Sequence, residues 1–143
     1  MILLDANLLI YAWDQSSPHH WQAAPWLDQQ LNGIERIGIP WVSSMSFLRL
    51  VTNPRIFPNA ESVARAWQQV QDWLACPGVW IPQAGDRHQQ ILDRMLSVVG
   101  SGGNLVPDAH LAAIAIEHGL TLCSTDGDFA RFPGLRWANP LRK

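Results

Sequence analysis

Apolar and polar positions alternate along this chain in two periods. Ile2-Leu3-Leu4 followed by Asp5 reads as a short buried strand ending in a carboxylate, and from Ala6 to Trp13 the apolar spacing becomes that of a helix. Trp21, Ala24, Leu27 and Leu31 recur at three- and four-residue intervals, which predicts a helix over about 18–32 with Ser17 as N-cap and Pro18 at its first position. Arg36 to Pro40 is a brief apolar run flanked by Gly33, hence a strand, and a helix over about 43–52 follows until Asn53-Pro54 ends it. Val63, Trp67, Val70 and Leu74 mark one face of an amphipathic helix over about 60–75, stopped by Pro77-Gly78. Val79 to Ile81 is the next strand. Asp86 is placed to cap a helix carrying Ile91, Met95 and Val98, which the run Gly100-Ser101-Gly102-Gly103 breaks. Pro107 opens a helix that runs to about His118, Gly119 serves as its C-cap, Thr121 to Thr125 is a strand, and Leu135 to Trp137 is the last. Strands and helices in alternation imply right-handed crossovers, a five-stranded parallel sheet and helices on both of its faces, a three-layer α/β/α architecture.

Length and composition narrow the picture. At 143 residues and 16.0 kDa, residues 1–143 are expected to form one domain, and 48% hydrophobic against 15% charged residues calls for a packed core. Ten Lys plus Arg against twelve Asp plus Glu give a formal charge of -2, so any contact with nucleic-acid phosphate must be local. The single lysine is Lys143, which removes P-loop and Schiff-base chemistry, and Cys76 and Cys123 without a C-x-x-C offer neither a disulfide framework nor a thiolate zinc site. No apolar run approaches the roughly 20 residues of a membrane span and no basic segment precedes one, so the expectation is a cytoplasmic protein with no membrane contact.

The candidate chemistry lies in the acids. In an open parallel sheet the functional crevice is beyond the carboxyl ends of the strands, where Asp5 ends the first strand, Asp126 and Asp128 follow the strand at Thr121, and Asp108 sits in the first turn behind Pro107. Carboxylates gathered this way repel one another unless a cation neutralises them, and all-oxygen donors suit Mg2+ or Mn2+ and metal-assisted hydrolysis at phosphorus. Taken singly, Asp108 complements its helix dipole as well as it serves a site, and Asp126 and Asp128 are equally good turn residues around Gly127. Asp5 has little capping work to do and is the strongest candidate.

The chain resembles the PIN-domain ribonucleases of the VapC toxin type through Leu4-Asp5-Ala6-Asn7, Phe47-Leu48-Arg49-Leu50-Val51-Thr52-Asn53-Pro54-Arg55, Asp108-Ala109-His110-Leu111-Ala112-Ala113, Ser124-Thr125-Asp126-Gly127-Asp128-Phe129 and the ending Arg131-Phe132-Pro133-Gly134-Leu135. The resemblance spans the whole chain and implies a PIN fold and a Mg2+-dependent endoribonuclease, with RNA as substrate and an inhibitory antitoxin as partner. It makes Asp5, Asp108 and Asp126 metal ligands, Asp128 the adjoining acid, and Asn7 and Thr125 supports of the ligands. Where similar proteins commonly have Glu just before Phe47, this chain has Ser46, an uncharged and poor Mg2+ ligand, which leaves Asp128 to compensate.

Other residues fit less well. Glu117 follows Asp108 by nine positions, half a turn out of phase, and faces away from it. Asp14 and Asp28 read as solvated charges, and His110 as a half-buried packing residue rather than a metal ligand. Arg49 and Arg55 are candidate phosphate contacts. Trp21, Trp67 and Trp73 lie on amphipathic helices, where packing or a partner interface outweighs base stacking, and point to an antitoxin or a homodimer. Asn7 and the lack of an interior lysine argue against the aspartyl-phosphate phosphatases, and Ser46 motivates the remaining alternative, a PIN fold kept as a binding module after losing catalysis.

Overall fold

The apolar run at the start of the chain forms β1 (Ile2–Leu4) and the helical pattern behind it forms α1 (Ala6–Trp13), in a computed structural model that describes residues 1–100 and 103–142. Then come α2 (His20–Leu31), β2 (Ile37–Gly38), α3 (Trp41–Val51), α4 (Val63–Leu74), β3 (Val79–Trp80), α5 (His88–Leu96), α6 (Val106–Glu117), β4 (Thr121–Cys123) and β5 (Trp137–Ala138). Short 3-10 turns at Gly103–Leu105 and Gly127–Arg131 precede α6 and follow β4, and no periodicity announces either. Of the expected Gly100 to Gly103 breaker, Ser101 and Gly102 lie outside the described residues, as does Lys143.

Every strand pairing is parallel and the order is β3-β2-β1-β4-β5. The chain steps from β1 towards one edge and then returns to pair β4 on the other side of β1, so the order reverses between β1 and β4. That reversal is where sheets of this kind leave a crevice beyond their carboxyl ends.

Successive residues of a strand face opposite sides, and here they feed two separate cores. Leu3 and Leu122 pack with Ile91, Met95, Ala112 and Ile114 from α5 and α6, while Leu4, Ile37 and Cys123 pack with Leu8, Leu27, Phe47 and Val70 from α1 to α4. The result is the expected three layers. α6 is apolar nearly all round, as a helix enclosed by its neighbours must be, and its fully buried Ala109, Ala112, Ala113 and Ala115 let it lie close to the sheet.

Several local expectations fail for identifiable reasons. α2 begins at His20, and Ser17 closes the turn before it, its Oγ accepting from the His19 N–H at 3.1 Å. The buried stripe of α4 is Ala66, Val70 and Trp73, with Val63 and Trp67 outward; Trp73 wins the core position because its ring meets Phe47 edge-on at 5.0 Å. Asp86 caps nothing. The N-cap position of α5 is Arg87 without a side-chain cap, and the Glu117 carboxylate instead accepts from the Gly85 and Arg87 N–H groups at 2.8 and 3.0 Å. Val98 lies beyond the end of α5, and the final strand begins at Trp137.

Candidate active site

β1 ends at Leu4 and α1 begins at Ala6, so Asp5 is the hinge between them. Its extended backbone (φ -81, ψ 156) makes it the N-cap of α1, with Oδ1 accepting the Ala6 N–H at 2.8 Å. Asp5 therefore does have capping work, a correction that arises because the helix starts on the very next residue. Only one of its oxygens is used this way. Oδ2 accepts Ser124 Oγ–H at 2.7 Å and, more loosely, Asn7 Nδ2–H at 3.4 Å.

Ser124 is the residue that reading the sequence for charge overlooks. It is fully buried just after β4, and its hydroxyl is saturated: it donates to Asp5 and accepts from Asn7 Nδ2 at 2.9 Å and from the Asp126 N–H at 3.0 Å. One donor and two lone pairs tie the acid after β1 to the acid after β4. A hydroxyl two residues before Asp126 at the end of a buried strand is the signal that was available, since a buried polar atom requires partners. Thr125 is tied in only through its backbone N–H, 3.5 Å from Asn7 Oδ1, and its side chain makes no hydrogen bond among the described residues.

Asp126 caps the 3-10 turn behind β4, Oδ1 accepting the Asp128 N–H at 2.9 Å, and Asp128 is exposed and paired with Arg131 Nη2 at 3.2 Å. Neither lines the cleft between Asp5 and Asp108, but both lie near enough to Asp108 for their charge to act on it. Asp108 enters from the first turn of α6, and its carboxyl is pushed up to about 6, first by burial and then by the negative fields of Asp126, Asp5 and Asp128, with Arg131 opposing. Burial also raises Asp5, against the lowering effect of its Ser124 and Ala6 hydrogen bonds and with a further upward push from Asp126. Asp108 thus senses the charge of the other three acids, and Asp5 that of Asp126.

Asp5 and Asp108 line one small cleft of about 60 Å³ together with Ser43, Ser46 and Leu111. Ser46 therefore faces the acids, as its place before Phe47 implies. Ser43, another residue the acids drew attention from, fixes this geometry: its buried Oγ donates to the Leu4 carbonyl at 2.6 Å and clamps α3 to the end of β1. Arg49 is exposed one turn beyond Ser46, and Arg55 is exposed in the turn after α3. Neither has an ion-pair partner among the described residues. Glu117 and Asp86 stay away from the cleft. A larger depression of about 520 Å³, lined by Asp86 and by Gln89, Gln90, Leu92, Asp93 and Leu96 of α5, includes none of Asp5, Asp108, Asp126 and Asp128.

The donor set is hard oxygen, carrying more negative charge than burial tolerates. Among the described residues no three Asp, Glu, His or Cys side chains already stand as a finished metal cage. Mg2+ needs no such cage, because it keeps several waters and is held through one or two carboxylates, so these acids fit it and do not resemble a zinc site.

A family model described as "PIN domain" matches residues 2–135. A Mycobacterium tuberculosis protein named Ribonuclease VapC37 is 46% identical over 140 residues, covering 98% of this chain and 97% of the relative. Ribonuclease VapC33 of the same organism is 38% identical over 143 residues, the full length of both. Among solved structures, a toxin-antitoxin complex from Klebsiella pneumoniae superimposes with a TM-score of 0.61 at 21% identity, covering 98% of each chain, a likeness of fold.

Proposed function

The chain belongs to the PIN-domain family, and from that premise we propose that it is a divalent-metal-dependent endoribonuclease, the toxin of a toxin-antitoxin pair, hydrolysing RNA phosphodiester bonds at the cleft between Asp5 and Asp108. The observation that carries this is the convergence of Asp5 and Asp108 on one cleft at the sheet's switch point, with Asp126 tied to Asp5 through a single buried hydroxyl. Relatives named as ribonucleases at 38% and 46% identity over nearly the whole chain support the reaction class.

Asp5, Asp108 and Asp126 would hold Mg2+, or Mn2+ in its place, with Asp128 beside them; when bound, the ion supplies a nucleophilic water and offsets charge on the phosphoryl group. The protein's own part is positioning. Ser124 and Asn7 fix Asp5 Oδ2, and the Asp126 carboxylate is fixed by its cap on the 3-10 turn. Ser43 keeps α3, and with it Ser46, against the end of β1. Arg49 and Arg55 are the proposed phosphate contacts and Arg131 a third cation at the acids. RNA as substrate places the work in the cytoplasm. An antitoxin is the proposed inhibitory partner, in keeping with the toxin-antitoxin complex that shares the fold, and a second copy of the chain the proposed dimer mate. The alternative, a binding module without catalysis, has Ser46 in its favour and three crevice acids against it.

Purified, antitoxin-free protein should cleave structured RNA with Mg2+ and not with a chelator. Asp126→Asn should lose at least about a hundredfold in rate while keeping its circular dichroism spectrum. Cleavage that survives chelation, or that the variant retains in full, contradicts the assignment; RNA binding without any cleavage favours the binding module.

A further inference from the structure

Beside the acid cleft lies a second cavity of about 180 Å³, with mostly apolar walls built by Pro40, Trp41, Pro82, Gln83, His110 and Ile114. It opens at the carboxyl ends of β2 and β3, and Val42 in the first turn of α3 lines both it and the acid cleft. α6 is shared in the same way. Asp108 and Leu111 face the acids, while His110 and Ile114, on the adjoining stripe of the helix, face the second cavity. A strand whose phosphate lies at the acids therefore has this cavity next to it.

The walls have the chemistry of a base site. The Trp41 ring is 40% exposed and held in place by stacking on Trp67, with centroids 6.4 Å apart and planes 24° apart. One nitrogen of His110 is engaged with His88 at 3.0 Å, which leaves the other ring nitrogen for a ligand. The Gln83 carbonyl accepts from His118 Nε2 at 2.7 Å, and its side-chain amide has no partner among the described residues. Unstacked bases of single-stranded RNA are recognised by such a combination, an aromatic platform with amide and imidazole groups at the base edge. The cavity is also smaller than the roughly 300–1,000 Å³ of ordinary small-molecule pockets, a size for one planar ring system rather than a peptide or a second copy of the chain.

We propose that this cavity is a base-binding subsite, which takes the nucleobase next to the scissile phosphodiester bond, stacks it against Trp41 and reads its edge with Gln83 and His110. The inference rests on the ribonuclease reading above and adds the determinant of sequence preference, since neither acids nor phosphate contacts carry sequence information.

Two measurements test it. In the first, a pool of random single-stranded RNA is cleaved by the wild type, by Trp41→Ala, which removes the platform, and by Ala84→Leu, which fills the cavity; the cut ends are then sequenced. The wild type should favour one base at one position beside the cut by about tenfold, and both variants should lose that preference while keeping those at other positions. No preference in the wild type, or an unchanged one in both variants, overturns the proposal. In the second, metal-free protein binds short single-stranded RNAs with an abasic position moved along the strand. One position should weaken binding about tenfold in the wild type and not in Trp41→Ala, and equal affinities at every position overturn the subsite. If the wild type cuts nothing, the ribonuclease reading falls and the binding series alone decides the subsite.

Discussion

Ser124 Oγ satisfies Asp5, Asn7 and the Asp126 backbone at once, so its removal reaches both arms of the crevice. Ser124→Ala removes all three of these bonds, leaving the Asp126 N–H without its partner and Asp5 Oδ2 with only the long contact from Asn7. It should lower RNA cleavage by about 10- to 100-fold and thermal stability by about 1–3 kcal/mol, measured by single-turnover kinetics and by melting. A variant with wild-type kinetics would mean that Asp5 needs no such support. Asp108 makes a prediction about pH. Its carboxyl rises to about 6 in the fold from an ordinary 3.8, so the fold favours the protonated form. The resulting stability is fully present below the ordinary value and is lost as pH rises through about 6. Between about pH 4 and pH 7 the metal-free protein should thus lose on the order of 1–2 kcal/mol through Asp108, solvent screening of a half-buried group having been allowed for. Asp108→Asn should remove that loss in denaturant titrations, and equal pH dependence in the variant and the wild type contradicts the burial and like-charge field at Asp108.

Between elements, the cap of α5 comes from the far end of α6. Burial is the largest single influence on the Glu117 carboxyl and raises it, but the Gly85 and Arg87 N–H groups, aided by His118 and His88, together outweigh it and hold the group below its ordinary value. A side chain at position 85 would meet Glu117 Oε2 at 2.6 Å and displace the carboxylate from its cap. Glu117→Ala should cost about 1 kcal/mol in chemical denaturation, whereas Asp86→Ala should change stability by less than about 0.5 kcal/mol. The reverse ranking would restore Asp86 as the cap. This pair shows where a sequence stops being legible. The order of strands and helices, the three layers and the acids at strand ends were readable because apolar period and strand-end position are local properties. The Glu117 cap joins residues 30 and 32 positions apart, and no local pattern contains it. The α4 stripe was misplaced for a related reason: Val63, Trp67, Val70 and Leu74 satisfy helical spacing as well as Ala66, Val70 and Trp73 do, and Phe47 on α3 decides between them. Ser124 was hidden because a serine after a strand looks like any turn residue until its burial is known.

At the scale of the whole molecule, a net charge of -2 gives RNA no general field to follow, so substrate and partner must both find local features. Trp21 at 80% and Trp67 at 38% exposure are apolar surface on α2 and α4, whereas Trp73 is inside. If an antitoxin covers α2 and α4, backbone amides of both helices should exchange hydrogen more slowly in the complex than in the free protein, and identical exchange would move the interface elsewhere. Everything proposed about chemistry depends on a cation at the crevice. The most direct measurement is a crystal soaked in Mn2+ with anomalous data collected at the manganese edge. A peak should stand within coordination reach of Asp5, Asp108 and Asp126 and be absent in crystals of Asp126→Asn; a vacant crevice in the soaked wild type, or manganese bound only at acids elsewhere, would overturn the metal-dependent reading.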